Sequence, residues 1–149
     1  MRRATDWRCA NDCGAGTGTG RNYHGPRLNP TQMGDYRKLE VWKMACDVSD
    51  RIDDLVDTLP RRVKLKGALG DQVSRAAMSI HLNIAEGCGL NSDAQLAKYI
   101  RQALGSMNEV EDALAKLQRR RLLPPKHQDL VPDAEILRKR LGAFLRRLE

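Results

Sequence analysis

Aromatic side chains are scarce in this sequence. One Phe, two Trp and three Tyr make up 4 % of the 149 residues, so a core has to be built from aliphatic side chains. Six rings scattered along the chain exclude an aromatic platform on which single-stranded nucleic acid would stack. Helix-turn-helix and zinc-finger patterns are absent too, so we expect no sequence-specific reading of bases.

Long apolar runs are also missing. No segment approaches the roughly 18 to 20 consecutive apolar residues that a membrane-spanning helix needs, and the N-terminus lacks the apolar stretch of a secretory signal. We therefore expect a cytoplasmic protein with no membrane partner. In that reducing compartment the four cysteines are expected to be free thiols.

Patterns that support catalysis or metal binding are absent as well. Di-metal sites in four-helix bundles use Glu-x-x-His, and no Glu here precedes a His at that spacing. The positions of His24, His81 and His127 suggest no pairing with a nucleophile. Cys9, Cys13 and His24 are too few and too irregularly spaced for a zinc site. The sequence predicts no enzyme, no cofactor and no metal.

The first 34 residues differ in kind from the rest. They hold half of the twelve glycines and almost no aliphatic side chains, so burial cannot offset the entropy lost on ordering them. We predict a flexible tail over residues 1–34 and a folded domain over residues 35–149. Met33 directly precedes the first periodic segment, which leaves open a translation start at Met33.

From Asp35 onward, apolar residues recur at helical spacing in four segments. The four stripes are Val41, Ala45, Val48, Ile52, Leu55 and Leu59; Val73, Ala77, Ile80 and Ile84; Leu96, Ile100, Ala103, Met107, Val110, Leu114 and Leu117; and Leu130, Ala134, Leu137, Leu141, Leu145 and Leu148. No alternating β-branched run is present. Because short connections force neighbouring helices to run antiparallel, the sequence predicts an all-α, up-down-up-down four-helix bundle.

Local signals mark where these helices begin and end. Pro60 closes the first helix, and the fourth begins at about Asp129. Gly87 and Gly89 are expected to stop the second helix by adopting left-handed conformations. Ser92 is expected to cap the third helix by accepting a hydrogen bond from a free backbone amide.

The second helix carries a narrow polar line between two apolar faces. At about 100° per residue its polar residues fall within an arc of about 80°, with the core stripe on one side and Met78, Leu82 and Ala85 on the other. This is more apolar surface than a monomeric bundle can cover, so we predict a homo-oligomer. The polar line consists of Gln72, Arg75, Ser79, Asn83 and Glu86.

Ser79, Asn83 and Glu86 lie one helical turn apart and are expected to project to one place. We interpret them as a buried hydrogen-bond network that sets helix register or subunit orientation, with Arg75 as a counter-charge for Glu86. A contact with a ligand or with nucleic acid is the alternative. Two residues of the third helix are candidates to complete the network, Ser106 and Glu109.

The net charge is +7, of which the first 34 residues contribute +3. Ten of the other cations lie in three clusters. One interpretation is that these cations complement helix dipoles or form a solvated surface. The other is a phosphate-binding surface, which an oligomer would repeat to give useful affinity and a steep salt dependence. The clusters are Arg61, Arg62, Lys64 and Lys66; Arg119, Arg120 and Arg121; and Arg138, Lys139 and Arg140.

Several separated motifs resemble one known family. Asp71–Ala77 and Ser79–Gly87 are similar to the signature of bacterial four-helix-bundle proteins first noticed as products of intervening sequences in 23S ribosomal RNA genes. Asp35–Lys43 resembles the opening of that family. The family's third-helix segment is similar to the part of this chain in which Gly105 and Ser106 are followed by Glu109 and Glu111.

The resemblance implies a bundle that forms a ring-shaped pentamer, has no established enzymatic activity and has a proposed role in binding nucleic acid. The family is similar in fold to accessory proteins of diversity-generating retroelements, which bind nucleic acid and a reverse transcriptase. We therefore expect a non-enzymatic homo-oligomer that binds RNA or DNA non-specifically. The alternative is an adaptor for a protein partner. Leu90 stands where the family commonly has an arginine, which removes one possible phosphate contact.

Overall fold

The computed structural model describes residues 35–90 and 92–149. The predicted tail and the alternative start at Met33 lie outside these residues. The elements are α1 (Glu40–Thr58), α2 (Arg61–Lys64), α3 (Leu69–Cys88), α4 (Asp93–Arg119) and α5 (Leu130–Leu148), with single 3-10 turns at Tyr36–Lys38 and Pro125–His127. No strand occurs within the described ranges. The prediction of an all-α fold is confirmed.

The four long helices α1, α3, α4 and α5 form the bundle. Packing runs in a closed cycle, in which α1 contacts α3, α3 contacts α4, α4 contacts α5 and α5 contacts α1. Short connections make successive helices antiparallel, so the order is up-down-up-down as predicted. Helices α1 and α4 therefore point the same way, and their C-terminal ends lie at the same end of the bundle.

The inward stripes of the four helices meet in one aliphatic core. Ile52, Ile80, Met107 and Leu137, one from each long helix, are fully buried. Burial of each such side chain contributes about 1.5 to 3 kcal/mol. Phe144 adds a ring to this core, but aliphatic packing dominates it, as the scarcity of aromatics requires.

The first connection contains a helical turn that its basic composition did not suggest. Val63 is only 4 % exposed and holds α2 against the core. A Cβ atom on Gly70 would lie 2.7 Å from the Lys64 Cα atom, so the backbone of α2 rests directly on the first turn of α3. Gly67, at φ 79°, supplies the left-handed turn between α2 and α3.

Helix α3 ends at Gly89, one of the two predicted stop residues, but the predicted left-handed conformations are wrong. Gly87 lies inside the helix, and Gly89 has a right-handed φ of −74°. A Cβ atom on Gly87 would lie 2.8 Å from the Cβ atom of Tyr99 and 2.9 Å from Cδ1 of Leu96. The absence of a side chain at Gly87 therefore allows close packing of α3 on α4.

Ser92 caps α4 through its backbone alone. It is the N-cap residue, with φ −152° and ψ 125°, but its hydroxyl makes no capping hydrogen bond, so the predicted mechanism is wrong. Asp129 is the N-cap residue of α5, at the predicted position. The first and last long helices are joined by an ion pair that the sequence did not suggest. Arg51 of α1 donates to the buried Asp133 of α5 at 2.6 Å.

Candidate nucleic-acid interface and the α3–α4 groove

Seven exposed cations lie in the connection that follows α1 and at the C-terminal end of α4. Four of them are on or beside α2, and three are at the C-terminal end of α4. Their side chains face solvent because the turns that carry them bury only apolar residues such as Val63 and Leu117. We call these residues the cationic end: Arg61, Arg62, Lys64, Lys66, Arg119, Arg120 and Arg121.

The register between α3 and α4 brings both clusters to one end of the bundle. Ser79 lies opposite Ser106, and Gly87 lies opposite Tyr99. Continued along the antiparallel pair, this register brings Leu69, where α3 begins, level with Lys116. The last residues of α4 are therefore level with the connection that carries α2.

The cations of the cationic end are not held in ion pairs with other described residues. Within residues 35–90 and 92–149, none of its seven side chains forms an ion pair. Lys64 donates a hydrogen bond to the carbonyl oxygen of Asp57 at 3.3 Å, which leaves its charge uncompensated. Like charges gathered in this way produce a positive potential that attracts polyanions.

The third predicted basic cluster does not join the cationic end. Arg138, Lys139 and Arg140 lie more than two turns into α5. Arg138 Nε donates to Glu111 Oε1 at 2.9 Å, and Lys139 Nζ lies 3.9 Å from Glu135 Oε2. Carboxylates of α4 and α5 therefore compensate the charges of Arg138 and Lys139.

A groove of about 570 Å³ runs between the outer faces of α3 and α4. Its apolar residues include Val73, Ala76 and Ala113. The fold thus brings most of the predicted polar line together with both candidates from the third predicted helix. The polar residues of the groove are Gln72, Arg75, Ser79, Ser106, Glu109 and Asp112.

A small hydrogen-bond network joins the two helices beside this groove. Asn83 Nδ2 donates to the carbonyl oxygen of Ser79 at 2.8 Å and to its Oγ at 3.0 Å. Ser106 Oγ donates to Ser79 Oγ at 2.9 Å. All three residues are half-buried. Glu109 does not take part: it is exposed and has no hydrogen-bond partner in the described part of the chain.

Glu86 lies outside this network, and the expected pairing of Arg75 with Glu86 is wrong. Arg75 Nε lies 3.5 Å from Asp71 Oδ2, whereas Glu86 Oε1 accepts a hydrogen bond from the Tyr99 hydroxyl at 2.8 Å. Three turns of helix separate Arg75 from Glu86, too far for contact. The hydrogen bond to Glu86 raises the pKa of Tyr99.

The outer face of α3 exposes two large apolar side chains one turn apart. Met78 is 47 % exposed and Leu82 is 51 % exposed. They lie on the apolar side of the polar line, away from the core stripe, where the sequence analysis expected a second subunit. We call this pair the α3 apolar patch.

Burial is the main cause of the pKa shifts of two histidines and two cysteines in the bundle. Burial lowers the pKa of His81 and of His127. His127 lies in the connection between α4 and α5, yet it is only 7 % exposed, and its Nε2 atom has no hydrogen-bond partner among the described residues. Cys46 and Cys88 are free and half-buried, and burial raises the pKa of Cys88 to about 11. Cys9 and Cys13 lie outside the described residues.

Residues 35–90 and 92–149 contain neither a cluster of metal ligands nor a membrane-spanning helix. No three His, Cys, Asp or Glu side chains converge in a way that would hold a metal ion. No helix there has the length and apolar character needed to cross a bilayer. The side chains that do converge are therefore the cations of the cationic end and the polar residues of the groove.

Comparison with known proteins decides the family. The family described as 23S rRNA-intervening sequence protein matches residues 37–143. The chain belongs to this family. The match covers nearly the whole bundle, and it confirms the resemblance carried by the motifs in α1, α3 and α4.

A solved structure supports the family's fold for this chain. It is a protein of unknown function from the S23 ribosomal protein family of Bacteroides thetaiotaomicron, and the two chains are 24 % identical with a TM-score of 0.63. The likeness covers 70 % of this chain and 97 % of that one. At this identity it shows the fold alone. Among curated proteins no match was found.

Proposed function

We propose that this family member is a non-catalytic, self-associating bundle that binds RNA or DNA non-specifically through the phosphates. The observation that carries the proposal is the cationic end, where seven exposed cations without ion-pair partners in the described chain lie at the same end of the bundle. Cations that contact phosphates bind regardless of base sequence. The described residues of this end include no aromatic ring, which favours contact with the backbone over stacking on bases.

Self-association would multiply this binding surface. The α3 apolar patch supports a contact between copies, because covering Met78 and Leu82 removes apolar area from water. Each added copy brings a further cationic end, so several weak phosphate contacts act together on one polyanion. The family resemblance makes a pentameric ring the expected assembly.

The test is a titration of the full chain into a labelled, mixed-sequence RNA duplex of about 20 base pairs at several salt concentrations between about 50 and 200 mM. We expect micromolar or tighter affinity that falls by orders of magnitude across this range, because each phosphate contact releases a counterion. Binding that is absent or insensitive to salt contradicts the proposal.

A matched pair of charge variants locates the site. R61Q/R62Q removes two exposed arginines from the cationic end, and R146Q/R147Q removes two exposed arginines from the last turn of α5, at the opposite end of the bundle. The first variant should reduce the salt slope by about 2, and the second should leave it nearly unchanged. Equal losses for the two variants would show that overall charge, and not the cationic end, governs binding.

A second candidate function is an adaptor for a protein partner, and the α3–α4 groove favours it. Glu109 and Asp112 are exposed carboxylates on the α4 side of the groove, with no cationic partner in the described chain. They suit a basic side chain of another protein, whose aliphatic stem would lie on Val73 and Ala76. The adaptor function predicts one co-purifying protein, identified by mass spectrometry, that survives nuclease treatment and is lost in E109Q/D112N but retained in R61Q/R62Q.

A further inference from the structure

Helix α4 ends in a backbone arrangement that normally takes glycine. The amide of Leu122 donates to the carbonyl oxygen of Leu117 at 2.9 Å, and the amide of Arg121 donates to that of Gln118 at 2.9 Å. This pair of bonds requires a left-handed backbone conformation at the residue before Leu122. In that conformation the Cβ atom of an L-residue is crowded. Arg121 holds this place with φ 54°, and no other non-glycine residue in the described ranges has a positive φ.

The described fold receives no contact in return for this strain. The Arg121 side chain is exposed, and no hydrogen bond or ion pair joins it to another residue within 35–90 and 92–149. Glycine at this position would make the same two backbone hydrogen bonds without crowding. An arginine here therefore lowers the stability of the protomer.

Residues that stay strained without a structural benefit cluster at functional sites. Arg121 belongs to the cationic end, and its guanidinium presents a planar fork of donors that fits two phosphate oxygens. We infer that Arg121 is a phosphate-contacting residue that the chain retains at the expense of fold stability. This inference rests on the proposed binding of nucleic acid, and it names one contact of that site and the chemical group that it takes.

The test compares two glycine variants that each remove one arginine. Arg119 is the last residue of α4 and has helical conformation, so R119G should lower the melting temperature. R121G should raise it by about 2 to 4 °C, because glycine adopts the left-handed conformation freely. The opposite signs separate backbone strain from loss of charge, which is the same in both variants.

Binding is then measured on a labelled, mixed-sequence DNA duplex, with the full chain and R121K as a further variant. R121G should reduce the slope of log affinity against log salt by about 1 for each protomer engaged. R121K keeps the charge and the strain, so it should retain the wild-type salt slope and melting temperature. A more stable R121G with a reduced slope supports the inference.

Two outcomes would overturn the inference. In the first, R121G is more stable but binds the duplex like the wild type, so Arg121 makes no phosphate contact. In the second, R121G is less stable than the wild type, so the arginine does not strain the fold. Either result leaves the proposed function standing as long as R61Q/R62Q still weakens binding. If that variant also binds like the wild type, the proposed function itself fails.

Discussion

Gly87 sets how closely α3 and α4 approach each other. The space that its side chain would occupy is filled by Tyr99 and Leu96 of α4. The same approach allows the hydroxyls of Ser79 and Ser106 to bond directly across the two helices. A single residue without a Cβ atom thus determines the packing from which the groove and its polar network arise.

This role predicts opposite effects for two glycine-to-alanine changes. In G87A the new Cβ atom would lie 2.8 Å from the Tyr99 Cβ atom, so α4 must shift, at a cost of about 1 to 3 kcal/mol that outweighs the better helix propensity of alanine. In G105A, inside α4, the new Cβ atom meets nothing within 4 Å, so stability should rise by up to about 1 kcal/mol.

Chemical denaturation measures the free energy of unfolding of both glycine variants. Because neither change alters charge, their difference reports packing and helix propensity alone. If G87A is as stable as G105A, the α3–α4 contact does not depend on Gly87.

At the scale of elements, the connection between α4 and α5 is folded tightly against the bundle. His127 lies in its 3-10 turn and is buried. Burial, aided by the charges of Lys126 and Arg51 and opposed by that of Asp54, lowers the pKa of His127. The folded connection therefore favours neutral imidazole more strongly than the unfolded chain does.

This shift predicts a pH-dependent stability. Below about pH 6.5 the unfolded chain protonates His127 more readily than the folded chain does, so the free energy of unfolding decreases as the pH falls through 6.5 towards the lowered folded pKa. Replacing His127 by Gln should make stability flatter between about pH 7 and pH 5. Urea denaturation at each pH measures the effect, with H81Q as the comparison for the other histidine whose pKa is lowered. A wild-type slope in H127Q would contradict this reading.

At the scale of the whole molecule, the α3 apolar patch and the cationic end give the two proposed activities separate surfaces. Met78 and Leu82 lie midway along α3, whereas the seven cations lie where α1 and α4 end. Copies joined through the patch would leave their cationic ends open to a polyanion. Self-association and binding should therefore respond to different substitutions.

We predict that M78E/L82E dissociates the assembly without unfolding the bundle. Both side chains are about half exposed in the protomer, so a carboxylate there should lower the stability of the monomer only slightly. At an interface the same carboxylates would be buried without a partner, which destabilises the contact between copies. The control is L65E, because Leu65 is also 50 % exposed but lies beside α2. Light scattering after size exclusion measures the mass, and circular dichroism measures helix content.

Three results of that experiment bear on the assembly. A smaller species in M78E/L82E with unchanged helix content, beside an unaltered L65E, supports the patch as the contact between copies. Dissociation in L65E alone would move the contact to the first connection. A wild-type chain that is monomeric would remove the ring and its multivalent binding.

The four long helices, their order and most of their inward residues followed from the sequence because helical periodicity is a local property repeated over many residues. Three local predictions failed at α3 and α4, and two of them concern the contact between these helices. Gly87 looked like a helix stop, since sequence spacing does not show that another helix needs its space. The partner expected for Glu86 was also wrong, because Tyr99 comes from α4 and competes with residues of the same helix.

The sequence by itself determined the all-α fold, the family and the positions of the cationic residues. Only the tertiary structure decided which of these residues lie at the same end of the bundle. Antiparallel register gathers the cations that follow α1 and α4 and separates them from those within α5, where Glu111 and Glu135 compensate Arg138 and Lys139. The tertiary structure also shows that Arg121 adopts a left-handed backbone conformation. Long-range register and backbone strain depend on how helices pack, and no window of sequence contains that information.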